Sequence, residues 1–125
     1  MILLLDSNVL VSWLDDRRPL AEPAGRSIAD PANSVLVSAA TVWELEIKRA
    51  LGKVDFDADL ARAIDDAGFS GIAITLQDAT AAANLPPHHR DPFDRMLVAQ
   101  AQRHDAVLVS RDRALASYEV KVMTA

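Results

Sequence analysis

Ile2-Leu3-Leu4-Leu5 is apolar at every position and stops abruptly at Asp6. A strand with water on one face alternates apolar and polar residues. A strand apolar throughout must be covered on both faces, which places it inside a parallel sheet with helices above and below. The run at 106–109, Ala-Val-Leu-Val, repeats the pattern and leads into Ser110-Arg111-Asp112. Parallel neighbours can be joined only by long crossovers, usually helical, so two such runs commit the chain to an α/β class.

The intervening sequence supplies those crossovers. Asp6-Ser7-Asn8 has helix N-cap chemistry, and Val9, Leu10, Trp13 and Leu14 recur at helical spacing. Asp15-Asp16-Arg17-Arg18 reads as a solvated turn. Pro19 opens a predicted helix over 19–29, and Asp30-Pro31-Ala32-Asn33 is a turn. Ser34-Val35-Leu36-Val37-Ser38 predicts a second strand. Helices are expected over 41–51 and 57–67, with Gly52 and Gly68 as the residues that close them. A strand over 71–76, a short helix over 78–84 and the stop at Pro86-Pro87 follow. Asp91-Pro92-Phe93-Asp94 then opens a longer helix, and a short helix through Tyr118 and a strand over 120–123 finish the chain. The expectation is a three-layer α/β/α domain over residues 1–125, with a mostly parallel central sheet of about five short strands.

Composition narrows the chemistry. The chain has no cysteine, which excludes disulfides, thiolate metal sites and a cysteine nucleophile together. The N-terminal apolar run lacks a basic flank and is too short for a signal peptide or a membrane span, so a cytoplasmic protein with no membrane association is expected. No glycine-rich phosphate loop and no serine nucleophile elbow is present, so nucleotide kinases and serine hydrolases fit poorly. The net charge of −5 is not the basic footprint of a typical nucleic-acid binder. An acidic surplus has another use, which is to gather carboxylates around a cation.

In open α/β sheets, ligands bind beyond the carboxyl ends of the strands. Asp6 ends the first predicted strand, and Asp112 lies just past the strand at 106–109. Glu44 falls in the first turn of the predicted 41–51 helix, and Asp94 in the first turn of the helix after Asp91. Each has an ordinary structural job available. Asp6 and Asp112 can cap the helices that follow them, and Glu44 completes a capping-box pattern with Thr41. Together they come from distant parts of the chain to one sheet edge. Carboxylates held that close repel one another, and a hard cation such as Mg²⁺ or Mn²⁺ removes the conflict. Asp91 and Asp94 separate by position: Asp91 is the N-cap, whereas Asp94 shares a helix face with Leu97, Val98 and Ala101 and so points towards the sheet.

Other signals read more plainly. His88 and His89 are adjacent, diverge, and suit a surface loop. Trp13 and Trp43 suit core or interface rather than base stacking. Arg90, Arg95, Arg111 and Lys48, with Arg49 and Arg113, lie near the acidic motifs and are candidates to hold phosphates. A phosphatase using Asp6 as a covalent nucleophile would want an acid two residues on, where this chain has Asn8.

Leu4-Leu5-Asp6-Ser7-Asn8-Val9-Leu10 resembles the opening motif of PIN-domain nucleases. The stretch from Ser38 to Lys48 around Trp43-Glu44, followed by Leu51-Gly52-Lys53, resembles the second motif of their VapC-like toxin branch. His89-Arg90-Asp91-Pro92-Phe93-Asp94-Arg95-Met96-Leu97-Val98-Ala99-Gln100-Ala101 is similar to the third, and Leu108-Val109-Ser110-Arg111-Asp112 to the fourth. The resemblance implies a PIN-like fold and a Mg²⁺- or Mn²⁺-dependent endoribonuclease. It implies Asp6, Glu44 and Asp94 as the main acidic ligands, Asp112 as a more variable fourth, and Ser7, Asn8 and Ser110 as supports, with Asp91 beside them. It also implies a VapB-like antitoxin partner, and a homodimer or a toxin–antitoxin hetero-oligomer. The alternative is a catalytically silent PIN-type module regulated by a partner protein.

Overall fold

A computed structural model describes residues 1–15, 19–57 and 59–125. Five strands, β1 (Ile2–Leu5), β2 (Ser34–Ser38), β3 (Ser70–Ile72), β4 (Val107–Ser110) and β5 (Val122–Thr124), form one sheet in the order β3-β2-β1-β4-β5. Every pairing is parallel. Among the described residues six helices connect them: α1 (Ser7–Leu14), α2 (Ala24–Ala29), α3 (Ala39–Ala50), α4 (Leu60–Asp66), α5 (Leu76–Ala83) and α6 (Pro92–His104), with a 3-10 turn at Arg113–Ser117.

The all-apolar β1 lies at the centre, as its composition requires. Leu3, Leu4 and Leu5 are completely buried. Leu3 and Leu5 pack with Val9, Leu10, Ile28, Leu45 and Ile64 on one face, while Leu4 packs with Leu97, Val98, Ala101 and Leu108 on the other. That alternation is the three-layer α/β/α architecture seen from one strand, and each of these leucines contributes roughly 1.5–3 kcal/mol by burial.

The strand order sets the position of the site. From β1 the chain winds outward through β2 to β3, then returns across the sheet to lay β4 and β5 on the other side of β1. The winding therefore reverses between β1 and β4, and a crevice opens at their carboxyl ends. Leu5 pairs with Val109, and the Asp6 N–H donates to the Val109 carbonyl at 3.1 Å. The next residues on the two strands, Asp6 and Ser110, thus emerge side by side at that point.

Several boundaries differ from expectation for local reasons. The helix expected from residue 19 starts only at Ala24. Pro23 disfavours a helical backbone at the residue before it and could not sit within a helix without breaking a hydrogen bond. The turn expected at Asp15-Asp16-Arg17-Arg18 falls largely outside the described residues. Helix α3 begins straight from β2, with the Ser38 hydroxyl accepting the Ala40 N–H at 3.0 Å. Thr41 is therefore inside the helix and the expected Thr41–Glu44 capping box does not form. The capping box lies elsewhere: Thr75 and Asp78 exchange bonds of 3.0 Å in each direction, so Leu76 starts α5 rather than ending a strand. Strand β3 is correspondingly only Ser70–Ile72. Helix α4 begins at Leu60, capped by Asp59, and β5 lies at Val122–Thr124, starting two residues later than expected and ending one later. Gly52 and Gly68 do close α3 and α4, both at positive φ where other residues would be strained. Among the described residues, no helix is long and apolar enough to cross a membrane.

Candidate metal centre

Asp6 is both a cap and a member of the site. Its Oδ1 accepts the Val9 N–H at 2.9 Å, starting α1, and its Oδ2 accepts the Ser110 hydroxyl at 2.5 Å. The same Ser110 oxygen accepts the Asp112 N–H at 3.0 Å, so one buried hydroxyl ties Asp6 to the segment carrying Asp112. A carboxylate has about four acceptor positions, and two fixed bonds orient Asp6 without exhausting it. Burial pushes the Asp6 carboxyl above its usual range and the charge of Glu44 adds to this, while Ser110, the Val9 amide and Arg111 oppose it.

Glu44 is buried in the second turn of α3, one turn deeper than the sequence suggests, and pairs with Lys48 Nζ at 2.9 Å. Asp91 is the N-cap of α6, its Oδ1 accepting the amides of Phe93 at 2.8 Å and Asp94 at 3.3 Å. Asp94 stands in the first turn, with 21% of its side chain exposed. Its carboxyl is pushed up to about 7, mainly by burial, then by the charges of Asp91, Glu44 and Asp6. Asp112 caps the 3-10 turn through Oδ1, which accepts the Ala114 N–H at 3.0 Å, and turns Oδ2 to the site.

The histidine expected on the surface is in the site. His89 Nε2 lies 2.9 Å from Asp112 Oδ2 and 3.5 Å from Asp94 Oδ2, and atoms of His89, Asp94 and Asp112 all lie within 4.8 Å of one another. Asp6 and Glu44 stand outside that set but inside its field, since both raise Asp94. Sequence spacing gave no sign of His89, because Asp112 and the Tyr118 hydroxyl that holds its backbone are 23 and 29 residues away. Its neighbour His88 stacks edge-on against Tyr118 at 5.0 Å.

The basic candidates divide. Lys48 is at the rim on Glu44, Arg111 reaches Ser12 Oγ at 3.1 Å with its charge felt at Asp6, and Arg90 is exposed. Arg95 does another job: its guanidinium donates to the carbonyls of Ala82 at 2.9 Å, Leu85 at 3.0 Å and Pro86 at 3.0 Å, and to the His89 carbonyl and Tyr118 hydroxyl at 3.3 Å. With its donors spent on carbonyls, Arg95 fastens the end of α5 and the loop before α6 rather than presenting charge to a phosphate. Arg49 is likewise engaged, with Glu46 at 2.6 Å and over the Phe56 ring at 4.3 Å. Ser7 is buried at the start of α1, whereas Asn8 is exposed. Trp13 packs in the core near Phe69, and Trp43 is 62% exposed against the edge of Phe93.

Asp94 and Asp112 thus meet at His89 where the sheet winding reverses, with Asp6 tied to the Asp112 segment through Ser110 and Glu44 near enough to raise both Asp6 and Asp94. Their donor set is hard oxygen, and Asp94 is raised first by burial and then by its acidic neighbours, both of which a bound cation would offset. The residues fit Mg²⁺ or Mn²⁺.

A parallel sheet with acidic residues gathered at its reversal point defines an α/β domain built around a carboxylate centre. The sequence matches the PIN domain family model over residues 3–121, and the chain belongs to that family. Comparison with curated proteins gives no match. Among solved structures, VapBC2 from Rickettsia felis, bound to a DNA fragment from its promoter, is similar at a TM-score of 0.72 and 14% identity, covering 100% of this chain and 99% of that one. DNA-bound VapBC from Salmonella typhimurium is similar at 0.70 and 15% identity, covering 99% and 98%. A toxin–antitoxin complex from Klebsiella pneumoniae is similar at 0.66 and 22% identity, covering 97% and 95%.

Proposed function

We propose that the chain is a Mg²⁺- or Mn²⁺-dependent endoribonuclease, acting in the cytoplasm as the toxin of a toxin–antitoxin pair. The observation that carries this reading is the convergence of Asp6, Glu44, Asp94 and Asp112 on the reversal point of a PIN-family sheet. Asp6 and Asp94 would hold the cation directly, with Glu44 and Asp112 binding directly or through water. When bound, the cation supplies Lewis-acid activation of water and of the phosphodiester.

The protein's own groups prepare the site. Ser110 and the Val9 amide fix the orientation of Asp6 before substrate arrives. The amino end of α6 favours the ionised form of Asp94 against the effect of its burial. Lys48, Arg111 and Arg90 stand ready to take phosphate oxygens of the RNA backbone. The fold shared with VapBC and other toxin–antitoxin complexes supports an antitoxin partner, in a hetero-oligomer or with a toxin homodimer.

Purified protein should cleave RNA in the presence of Mg²⁺, and Asp6→Asn and Asp94→Asn should each abolish cleavage while keeping the fold by circular dichroism. Undiminished Mg²⁺-dependent cleavage by either variant would sink this reading. The pairing of Glu44 with Lys48 favours a second one, in which the carboxylates are neutralised by the protein and the domain acts only by binding its partner. A folded, partner-free protein that takes up no Mn²⁺ would select it.

A further inference from the structure

We propose that His89 is a positioning residue of the carboxylate centre, holding Asp112 and Asp94 in place through a locked Nε2–H donor and not itself binding the cation. The proposal rests on the metal-centre reading above. His89 Nδ1 lies 3.1 Å from the backbone nitrogen of Asp91 and accepts its N–H. Because Nδ1 accepts that N–H it carries no proton, which leaves Nε2 as the donor nitrogen of the ring. That nitrogen faces Asp112 Oδ2 at 2.9 Å, with Asp94 Oδ2 at 3.5 Å.

The ring stands on a fixed platform. The His89 N–H donates to the Tyr118 hydroxyl at 2.9 Å, and its carbonyl accepts from Arg95 at 3.3 Å. Tyr118 is buried, and Arg95 is itself bound to the end of α5, so the backbone of His89 is gripped on both sides. Only 20% of the side chain is exposed.

Two consequences follow for the site. Asp112 has Oδ1 on the Ala114 amide and Oδ2 on His89, which leaves its carboxylate one orientation. The imidazole also bridges the start of α6, through the Asp91 amide, to the start of the 3-10 turn after β4, through Asp112, so the segments that carry Asp94 and Asp112 are fixed relative to each other. A ligand role would require Nε2 to give up its proton and Nδ1 to gain one. Nδ1 would then set an N–H against the Asp91 N–H. The geometry favours the donor over the ligand.

Groups that orient metal ligands from outside typically change affinity by about 10–100-fold when removed. Mn²⁺ titration calorimetry on the full chain should therefore show His89→Ala weakened by roughly that factor. His89→Gln, whose side-chain amide reaches about as far as Nε2, should recover most of it. Long-range ¹⁵N–¹H spectra of the wild type should show the Nε2–H tautomer of His89, both without added metal and with Mg²⁺ present. Wild-type affinity in His89→Ala, His89→Gln as weak as His89→Ala, or a switch to Nδ1–H when Mg²⁺ is added would each overturn the proposal. Should His89→Ala fail to fold, the glutamine variant and the tautomer measurement still decide. A wild type that binds no Mn²⁺ overturns the metal-centre reading and this proposal with it, whereas a binding wild type with an unaffected His89→Ala overturns this proposal alone.

Discussion

Asp94 is held where its charge is unwelcome. Its carboxyl titrates at about 7, against 3.8 for an unperturbed aspartate, first because it is buried and then because other carboxylates surround it. A carboxyl raised on folding binds more protons in the native state than in the unfolded chain. Its favourable contribution is complete below about pH 4 and is lost as pH rises through about 7. Asp94→Asn should therefore stabilise the protein at pH 8 in EDTA by about 1–2 kcal/mol, and have little effect near pH 4, as read from urea midpoints. No stabilisation at pH 8 would contradict the strain assigned to this residue. Asp91→Asn should keep RNA cleavage near wild type, because asparagine caps a helix as well as aspartate and the Asp91 carboxylate is occupied as the cap. Loss of cleavage in Asp91→Asn with retention in Asp94→Asn would reverse the division between them. The capping role of Asp91 and the first-turn position of Asp94 were legible in the sequence, from Pro92 at the first helical position and from the face shared with Leu97, Val98 and Ala101. His89 was not, because its partners come from contacts that no local spacing encodes.

Helices α5 and α6 are joined by a buried polar latch. Asp78 accepts from Arg103 Nε at 2.5 Å and Nη2 at 3.0 Å, from Gln100 at 3.2 Å and from the Thr75 N–H at 3.0 Å. The Arg103 guanidinium, with the Thr75 and Gln100 bonds, holds its carboxyl well below the usual range in spite of burial. This stabilisation is present above about pH 4, and is lost as pH falls towards the lowered folded-state value. Asp78→Ala should cost about 1.5–3 kcal/mol, because it removes the charged acceptor shared by Arg103, Gln100 and the Thr75 N–H, while Gln100 keeps the Ala73 carbonyl and Arg103 keeps access to water. Thermal unfolding of the variant checks this, and a loss under about 1 kcal/mol would show that the latch is not what joins the two helices. The strands were legible at element scale wherever an apolar run coincided with burial, as in β1, β2 and β4. Boundaries went astray where capping chemistry decided them. Thr75 with Asp78 outcompeted the continuation of a strand to residue 76, and Ser38 took the capping role that the Thr41–Glu44 spacing suggested. The second of these errors hid a clue, since a glutamate that is not needed for capping is more telling as a member of a site.

At the scale of the whole molecule, an acidic chain has to be reconciled with the phosphate-bearing substrate proposed above. A net charge of −5 opposes approach of RNA in general, but the carboxylates are concentrated where β1 and β4 diverge, with Lys48 and Arg111 beside them. A cation held there would turn this acidic cluster into a point that attracts a phosphodiester. The fold class and four acidic positions were readable because parallel topology sends every strand's carboxyl end to the same edge. Which oxygens are already engaged depended on the register between Leu5 and Val109, and no sequence pattern specifies that. The central claim is that these side chains form one divalent-cation site. Its most direct measurement is Mn²⁺ titration calorimetry on wild type, Asp6→Asn and Asp94→Asn at neutral pH, with folding verified for each. Wild type should bind, and either variant should lose roughly tenfold or more in affinity. No binding by folded wild type, or binding that both variants retain, would contradict the claim.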